Sequence, residues 1–252
     1  MSAPAIQLEL RNVTKRFGGV AALSDVTMSV ASGEILGVIG PNGAGKTTLL
    51  NCISGVYKLD GGDVLWRGAS ITGLPPHRVA RLGIGRTFQV VKPFGSMTVR
   101  ENAAVGALFG SDEARLPTKA AFARADEVLE LVGLASKAEL PVTALTIPDR
   151  KRLEVARAIA TRPKLLLLDE VMAGLNSVEI DEALDMVRKV QSMGVSVVLI
   201  EHVMRVIVGV CSRAVVLDSG KVLAEGAPDV VLRDERVIEA YLGERYAKQH
   251  KA

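Results

Sequence analysis

The stretch GPNGAGKTT, Gly40 to Thr48, constrains this chain more than any other. It satisfies G-x-x-x-x-G-K-[ST], it follows the apolar run ILGVIG, and a helical pattern opens at Lys46. The loop therefore stands at the turn between a buried strand and a helix, the setting in which such a match carries meaning. There Gly43 and Gly45 let successive backbone N–H groups converge on phosphate oxygens, Lys46 reaches the β and γ phosphates, and Thr47 can ligate Mg²⁺. The N-terminal end of the helix adds a field that favours the anion. Gly40, Pro41, Asn42, Gly43, Ala44, Gly45, Lys46, Thr47 and Thr48 are accordingly the candidate nucleotide-binding residues.

The remaining pattern fits a sheet built around that unit. IQLELRNVTKRF alternates, and ALSDVTMSVASGEILGVIG ends in a near-continuous apolar run, so both read as β-rich. GDVLWRG reads as another strand, and RVARLGIGRTFQV as a short helix followed by a strand. From about Thr98 to Val132 the pattern turns helical and Ala-rich, which suggests a helical insertion. A helix at RKRLEVARAIA, a strand at KLLLLD, a helix at VEIDEALDMVRKVQSM and a strand at VSVVLI follow. Strands alternating with helices of this length imply a parallel sheet with helices on its faces. RAVVLDSG and KVLAEG form a hairpin-like pair before a C-terminal helical stretch through ERVIEAYLGE.

Composition excludes several classes. At 252 residues and 48% hydrophobic content the chain can bury a full core. Its 31 Lys+Arg against 28 Asp+Glu leave a net charge of +3 without a block of like charges, so a basic nucleic-acid footprint is unsupported. Cys52 and Cys211 have no metal or redox spacing and read as small buried hydrophobes in a reducing compartment. MSAPAIQLEL lacks the pattern of a secretory signal. GVSVVLIEHVMRVIVGVC is too short to span a membrane and is interrupted by Glu201, His202 and Arg205, so membrane association is expected through a partner.

A second motif complements the first. LLLLDE, Leu165 to Glu170, is a buried strand ending in two carboxylates. Beside a phosphate-binding loop, Asp169 can hold Mg²⁺ through its water shell and Glu170 can polarise an attacking water, and phosphoryl transfer needs both functions.

GPNGAGKTT, GRTFQ, LLLLDE, AGLN and LIEH occur in this order, with the longer phrases PPHRVARLGIGRTFQ and VIEAYLGE. On these the chain resembles the ATP-binding subunit of an ABC transporter over nearly its whole length, most of all the branched-chain amino acid uptake group. The resemblance implies an α/β fold: a P-loop ATPase core with a mostly parallel sheet, an N-terminal antiparallel β subdomain and an inserted helical subdomain. It implies one nucleotide-binding domain over residues 6–242, with the helical part at about 90–160 and a tail at 243–252. Gln89 would then contact the metal and sense the membrane partner, His202 would contact the γ-phosphate, and Phe17 would stack on adenine. Each has a plainer rival: a surface amide, a strand-end histidine, and a core aromatic beside a turn.

The implied cofactors are ATP and Mg²⁺, with Glu170, His202, Lys46 and Gln89 catalytic and Thr47, Gln89 and Asp169 near the metal. The implied partners are integral membrane permease subunits, a second copy or a sister ATPase, and indirectly an extracytoplasmic solute-binding protein. The protein would lie on the cytoplasmic face of the inner membrane. The alternatives are a lipid or lipopolysaccharide exporter subunit, and a soluble ABC-type ATPase not coupled to transport.

The segment ALTIPDRKRLEVARA departs from the family pattern, which there presents a Ser hydroxyl and two Gly N–H groups to ATP held by the opposite subunit. Thr146 keeps a hydroxyl, Ile147 keeps an N–H, and Pro148 has none. Thr146-x-x-Asp149 also fits a capping box, so the stretch reads both as a helix start and as a weakened contact made in trans through Thr146. Asn176 stands where an Asp is commoner, and Val171 where a Pro is frequent.

Overall fold

The computed structural model describes residues 5–88, 92–110 and 116–242. Two compact units divide the chain, one of residues 1–75 and 198–252 and the other of residues 76–197.

The first unit opens with β1 (Ile6–Phe17) and β2 (Val20–Ala31), joined through Gly18 and Gly19 as an antiparallel hairpin. Leu8, Leu10 and Val13 on β1 and Leu23, Val26, Met28 and Val30 on β2 are buried, so the alternation sets which face turns inward. β3 (Ile35–Ile39) is buried at every residue and leads to helix α1 (Lys46–Ile53). β4 (Gly61–Trp66) and the two-residue β5 (Ala69–Ser70) complete an antiparallel sheet of order β2-β1-β4-β5.

In the second unit, α2 (Pro76–Arg81) precedes β6 (Ile84–Arg86), and three helices follow: α3 (Val99–Leu108), α4 (Thr118–Leu131) and α5 (Ile147–Ala160). Small residues explain how closely these helices pack. Ala103, Ala104 and Ala107 on α3 and Ala121 and Ala125 on α4 are buried, and a Cβ on Gly106 would lie 2.3 Å from the Arg157 carbonyl oxygen. The Ala-rich composition is therefore a packing requirement as well as a helix preference. β7 (Leu165–Asp169) runs parallel to β6 and is buried throughout, and α6 (Ser177–Ser192) starts at a capping box between Asn176 and Glu179. The position that departs from the family's usual Asp is thus a helix cap: Asn176 Oδ1 accepts from the N–H groups of Val178 and Glu179, each at 3.0 Å.

β8 (Ser196–Ile200) contains the boundary between the units. Beyond it the first unit continues with α7 (Met204–Val210), β9 (Arg213–Asp218), β10 (Lys221–Gly226), α8 (Pro228–Val231) and α9 (Glu235–Leu242). β9 pairs parallel with β3 and antiparallel with β10. The β9–β10 turn places Ser219 and Gly220 at φ 46° and 77°, the doubly left-handed turn that suits a two-residue hairpin. β3 is buried on both faces, as its unbroken apolar run requires.

Cys52 and Cys211 are both buried and unbridged. Burial, with the Glu34 charge, pushes the Cys211 thiol up to about 12, so it is an inert packing group against Gly37. No helix among the described residues is long and apolar enough to cross a membrane.

Candidate functional site

The loop after β3 is shaped by close approaches that exclude any side chain. A Cβ on Gly40, at φ 146°, would lie 2.0 Å from the Leu217 carbonyl oxygen, and one on Gly45, at φ 103°, 2.5 Å from that of Ala22. Gly43 is also left-handed at φ 82°, but its α-carbon faces open space. The outer glycines thus seat the loop on the unit, while the middle one leaves its outer side clear.

Lys46, the first residue of α1, is only 6% exposed. Its ammonium donates to the carbonyl oxygens of Gly40 at 2.7 Å and Pro41 at 2.9 Å, which holds it within the loop. α1 begins at left-handed Gly45 without a side-chain cap and with no acidic residue in its first turn. Its first N–H groups and its lysine therefore make a positively polarised end with no carboxylate in the helix's own first turn. Thr47 and Thr48 are half-buried beside it. Behind the loop, the Gly40 N–H donates to the Tyr241 hydroxyl at 2.7 Å.

Phe17 ends β1 and remains 45% exposed. Its ring meets that of Tyr57 edge to face at 5.2 Å, and the Lys15 ammonium lies 5.3 Å from its centre. This is an exposed aromatic set edge to face against Tyr57 rather than a core residue. His202, exposed, follows β8 directly after the buried Glu201.

The second unit carries the acidic pair. Asp169 ends β7 at 2% exposure, and its backbone N–H donates to the Thr87 hydroxyl at 3.1 Å. Arg86 Nη2 stands 3.5 Å from Asp169 Oδ2, a buried counter-charge. Glu170 is half-buried with φ 52°, the left-handed region a side chain adopts at a cost of order 1–3 kcal/mol. The chain turns at that residue as it leaves β7.

At the start of α5, Thr146 is the N-cap, and its hydroxyl accepts from the Asp149 N–H at 3.3 Å. The expected reciprocal bond takes another form. Asp149 Oδ2 accepts from the Thr146 hydroxyl itself at 2.7 Å and from Lys137 Nζ at 2.6 Å. Burial pushes the Asp149 carboxyl up, but the bonds from Lys137 and Thr146 outweigh it and the net shift is downward. The carboxylate thus has a cation and a hydroxyl of its own, while Ile147 beside it is 75% exposed. Gln89 lies outside the described residues, as does the 243–252 tail.

A groove of about 420 Å³ in the second unit runs along Lys151, Val155, Met172, Leu175 and Met186. It includes neither Asp169 nor Glu170, and it mixes Glu130, Glu179, Glu182 and Asp185 with Lys151, Arg152 and Lys189, so it shows no bias toward an anion. Sequence reasoning overlooked Tyr57, Arg86 and Tyr241. Arg86 and Tyr241 stand inside GRTFQ and VIEAYLGE, whereas Tyr57 stands in no recognised phrase.

An ABC transporter family model matches residues 23–173, and a branched-chain amino acid ATP-binding cassette transporter model matches residues 221–247. The chain belongs to the ABC transporter family of ATP-binding proteins. It is 40% identical to the high-affinity branched-chain amino acid transport ATP-binding protein BraF of Pseudomonas aeruginosa, over 97% of this chain and 100% of that protein. It is 38% identical to the corresponding protein LivG of Escherichia coli K12, with the same coverage. Among solved structures, the ADP conformation of MJ1267, an ATP-binding cassette of an ABC transporter, matches with a TM-score of 0.85 at 31% identity, over 95% of this chain and 99% of that one.

Proposed function

We propose that the chain is the ATP-hydrolysing subunit of an importer for branched-chain amino acids or a similar small solute, acting through permease subunits on the cytoplasmic face of the membrane. The observation that carries this reading is the Lys46 loop, a glycine-shaped, uncapped helix start with its lysine held on the loop, in a chain that matches branched-chain amino acid transport proteins over 97% of its length. The match at residues 221–247 favours this importer group over the lipid-exporter alternative.

Gly40 to Thr48 would hold the ATP phosphates, Lys46 bridging the β and γ groups, while Phe17 offers a face to adenine. The groups this reading assigns to a metal, the Thr47 hydroxyl, the Gln89 side-chain carbonyl and the Asp169 carboxylate, would offer oxygens, the set that suits Mg²⁺. Mg²⁺ bound there would neutralise charge building on the β- and γ-phosphate oxygens. Glu170 would orient the attacking water and take its proton, and His202 would donate to the γ-phosphate. Two chains would close head to tail over two ATP molecules, with Thr146 reaching the nucleotide of the opposite chain, and hydrolysis would reopen the pair.

ATP turnover by the purified chain, with and without Glu170→Gln, tests the ATPase reading. Co-purification with permease subunits tests the transport reading. Turnover insensitive to Glu170→Gln would overturn the assigned base, and purification with ribosomes or DNA in place of membrane subunits would overturn the importer.

A further inference from the structure

The C-terminal helix reaches the phosphate-binding loop through one hydrogen bond. α9 lies about two hundred positions after the loop in sequence, yet Tyr241 accepts the Gly40 N–H at 2.7 Å, a bond spanning 201 residues. Gly40 is buried and is the point where the chain leaves β3, after the last β3–β9 pair at Ile39 and Val216. Its N–H therefore needs an acceptor from outside the ladder, because a buried amide left unpaired is costly. A side chain at position 40 would collide with the Leu217 carbonyl, so the backbone there lies close against β9.

The same residue also faces the binding side. The Gly40 carbonyl accepts from Lys46 Nζ at 2.7 Å, so Gly40 is tied through its N–H to Tyr241 and through its oxygen to the lysine proposed to meet the phosphates. α9 is itself anchored, with Val237 at 2% exposure, and Tyr241 is half-buried. We propose that Tyr241 is a positioning residue for nucleotide binding: by accepting the Gly40 N–H it fixes the first peptide of the loop and so the carbonyl that places Lys46. The C-terminal helix thereby sets the affinity of the loop for nucleotide without touching it. This inference rests on the reading of Gly40 to Thr48 as the phosphate site.

Linkage gives it two faces. If docked α9 strengthens nucleotide binding, bound nucleotide must strengthen the docking of α9 by the same factor. The contact supports the loop in ground state and transition state alike, so its loss should appear in KM and leave kcat near its original value. A tyrosine that only helped the helix pack would change the melting temperature and leave the affinity of the folded protein as it was.

The test uses the full chain with Mg-ADP and Mg-ATP. Tyr241→Phe keeps the ring and removes the acceptor; ADP binding by calorimetry should weaken about 5- to 30-fold, with a parallel rise in KM for ATP and kcat within about twofold. Unchanged ADP affinity in the folded variant overturns the proposal. Should the variant not fold, hydrogen exchange on the unaltered protein decides: Mg-ADP should slow exchange in residues 235–242 together with residues 38–44, and protection confined to the loop overturns it. Lys46→Ala separates the two readings. Loss of ADP binding there beside normal binding by Tyr241→Phe would refute the tyrosine's role alone, while normal binding by Lys46→Ala would refute the phosphate site and the inference with it.

Discussion

Helices α1 and α5 both begin where the sequence places a phosphate contact, and they meet that role in opposite ways. α1 starts at a left-handed glycine, has no side-chain cap and no acid in its first turn, and carries Lys46 at its first position. α5 starts at Thr146, whose hydroxyl is bonded twice to Asp149, while Asp149 is also paired with Lys137 and Pro148 has no N–H to offer. The first start is left uncapped by any side chain, its lysine held on the loop's own carbonyls; the second is capped and paired by its own side chains. A helix N-terminus is therefore not an anion site by virtue of its dipole alone. What decides is whether the chain's own side chains have already taken the field and the donors. Asp149 is not a bare charge, because Lys137 pairs with it, and its carboxylate also engages the hydroxyl of Thr146.

Removing the cation from the open start should have the largest effect. Lys46→Ala is expected to abolish ATP binding or turnover, read by calorimetry and phosphate release, since the loop loses the side chain proposed to bridge the phosphates. Retained binding with normal turnover would break the contrast between the two starts. Next comes Glu170→Gln, which should leave ATP binding intact and slow hydrolysis by roughly 10² to 10⁴. A fall of less than about tenfold would mean another group activates the water. This variant also holds ATP in place, which makes it the background in which the quieter start can be measured.

The two starts were not equally legible. At α1 the consensus itself dictates the geometry, because only glycine tolerates the approaches at positions 40 and 45, so residue type and structure are nearly the same statement. The buried strands ILGVI and LLLLD and the helix boundaries were legible for a similar reason, as unbroken apolar runs and caps have few alternative folds. At α5 the sequence showed Thr146 and Asp149 at capping distance, but not that the carboxylate would bond the hydroxyl in place of the backbone N–H. Nor could it show Lys137, whose approach depends on how the turn at residues 135–137 packs against the helix start. Tyr241 escaped for the same reason on a larger scale, since its partner is distant in the chain. Local periodicity does not encode which side chain meets a given amide across the fold.

The pairing of Asp149 gives the second start a dependence on acidity. Its folded-state pKa lies below the ordinary value of 3.8. The carboxylate's contribution to stability is therefore fully present above that value and is lost as pH falls through the lower folded value. Asp149→Asn should remove this part of the acid response and cost about 1 kcal/mol near neutrality, a modest figure because the Lys137 side chain is 39% exposed and screened. Urea unfolding at pH 7 and pH 3 measures both. Equal losses of stability in the variant and the original chain on acidification would show that Asp149 is not tied in this way.

The smallest effect bears most directly on the contrast, since it asks whether the self-satisfied start can be made to resemble the open one. Pro148→Gly restores a backbone N–H, and Asp149→Gln removes the carboxylate that engages Thr146, so the hydroxyl and one more amide become available to the γ-phosphate of an opposing chain. At about 0.5–1.5 kcal/mol per hydrogen bond, part of it offset by the loosened helix start, the ATP-bound dimer should tighten about two- to tenfold. Asp149→Gln alone should give the smaller part, which separates the freed hydroxyl from the new amide. Sedimentation in the Glu170→Gln background, at fixed ATP and protein concentration, reads the monomer–dimer balance. If closure limits the rate, the double replacement in the hydrolysing chain should also raise basal turnover. An unchanged balance would mean that Thr146, Ile147, Pro148 and Asp149 serve to begin a helix and nothing more, and that the contact in trans belongs to other residues.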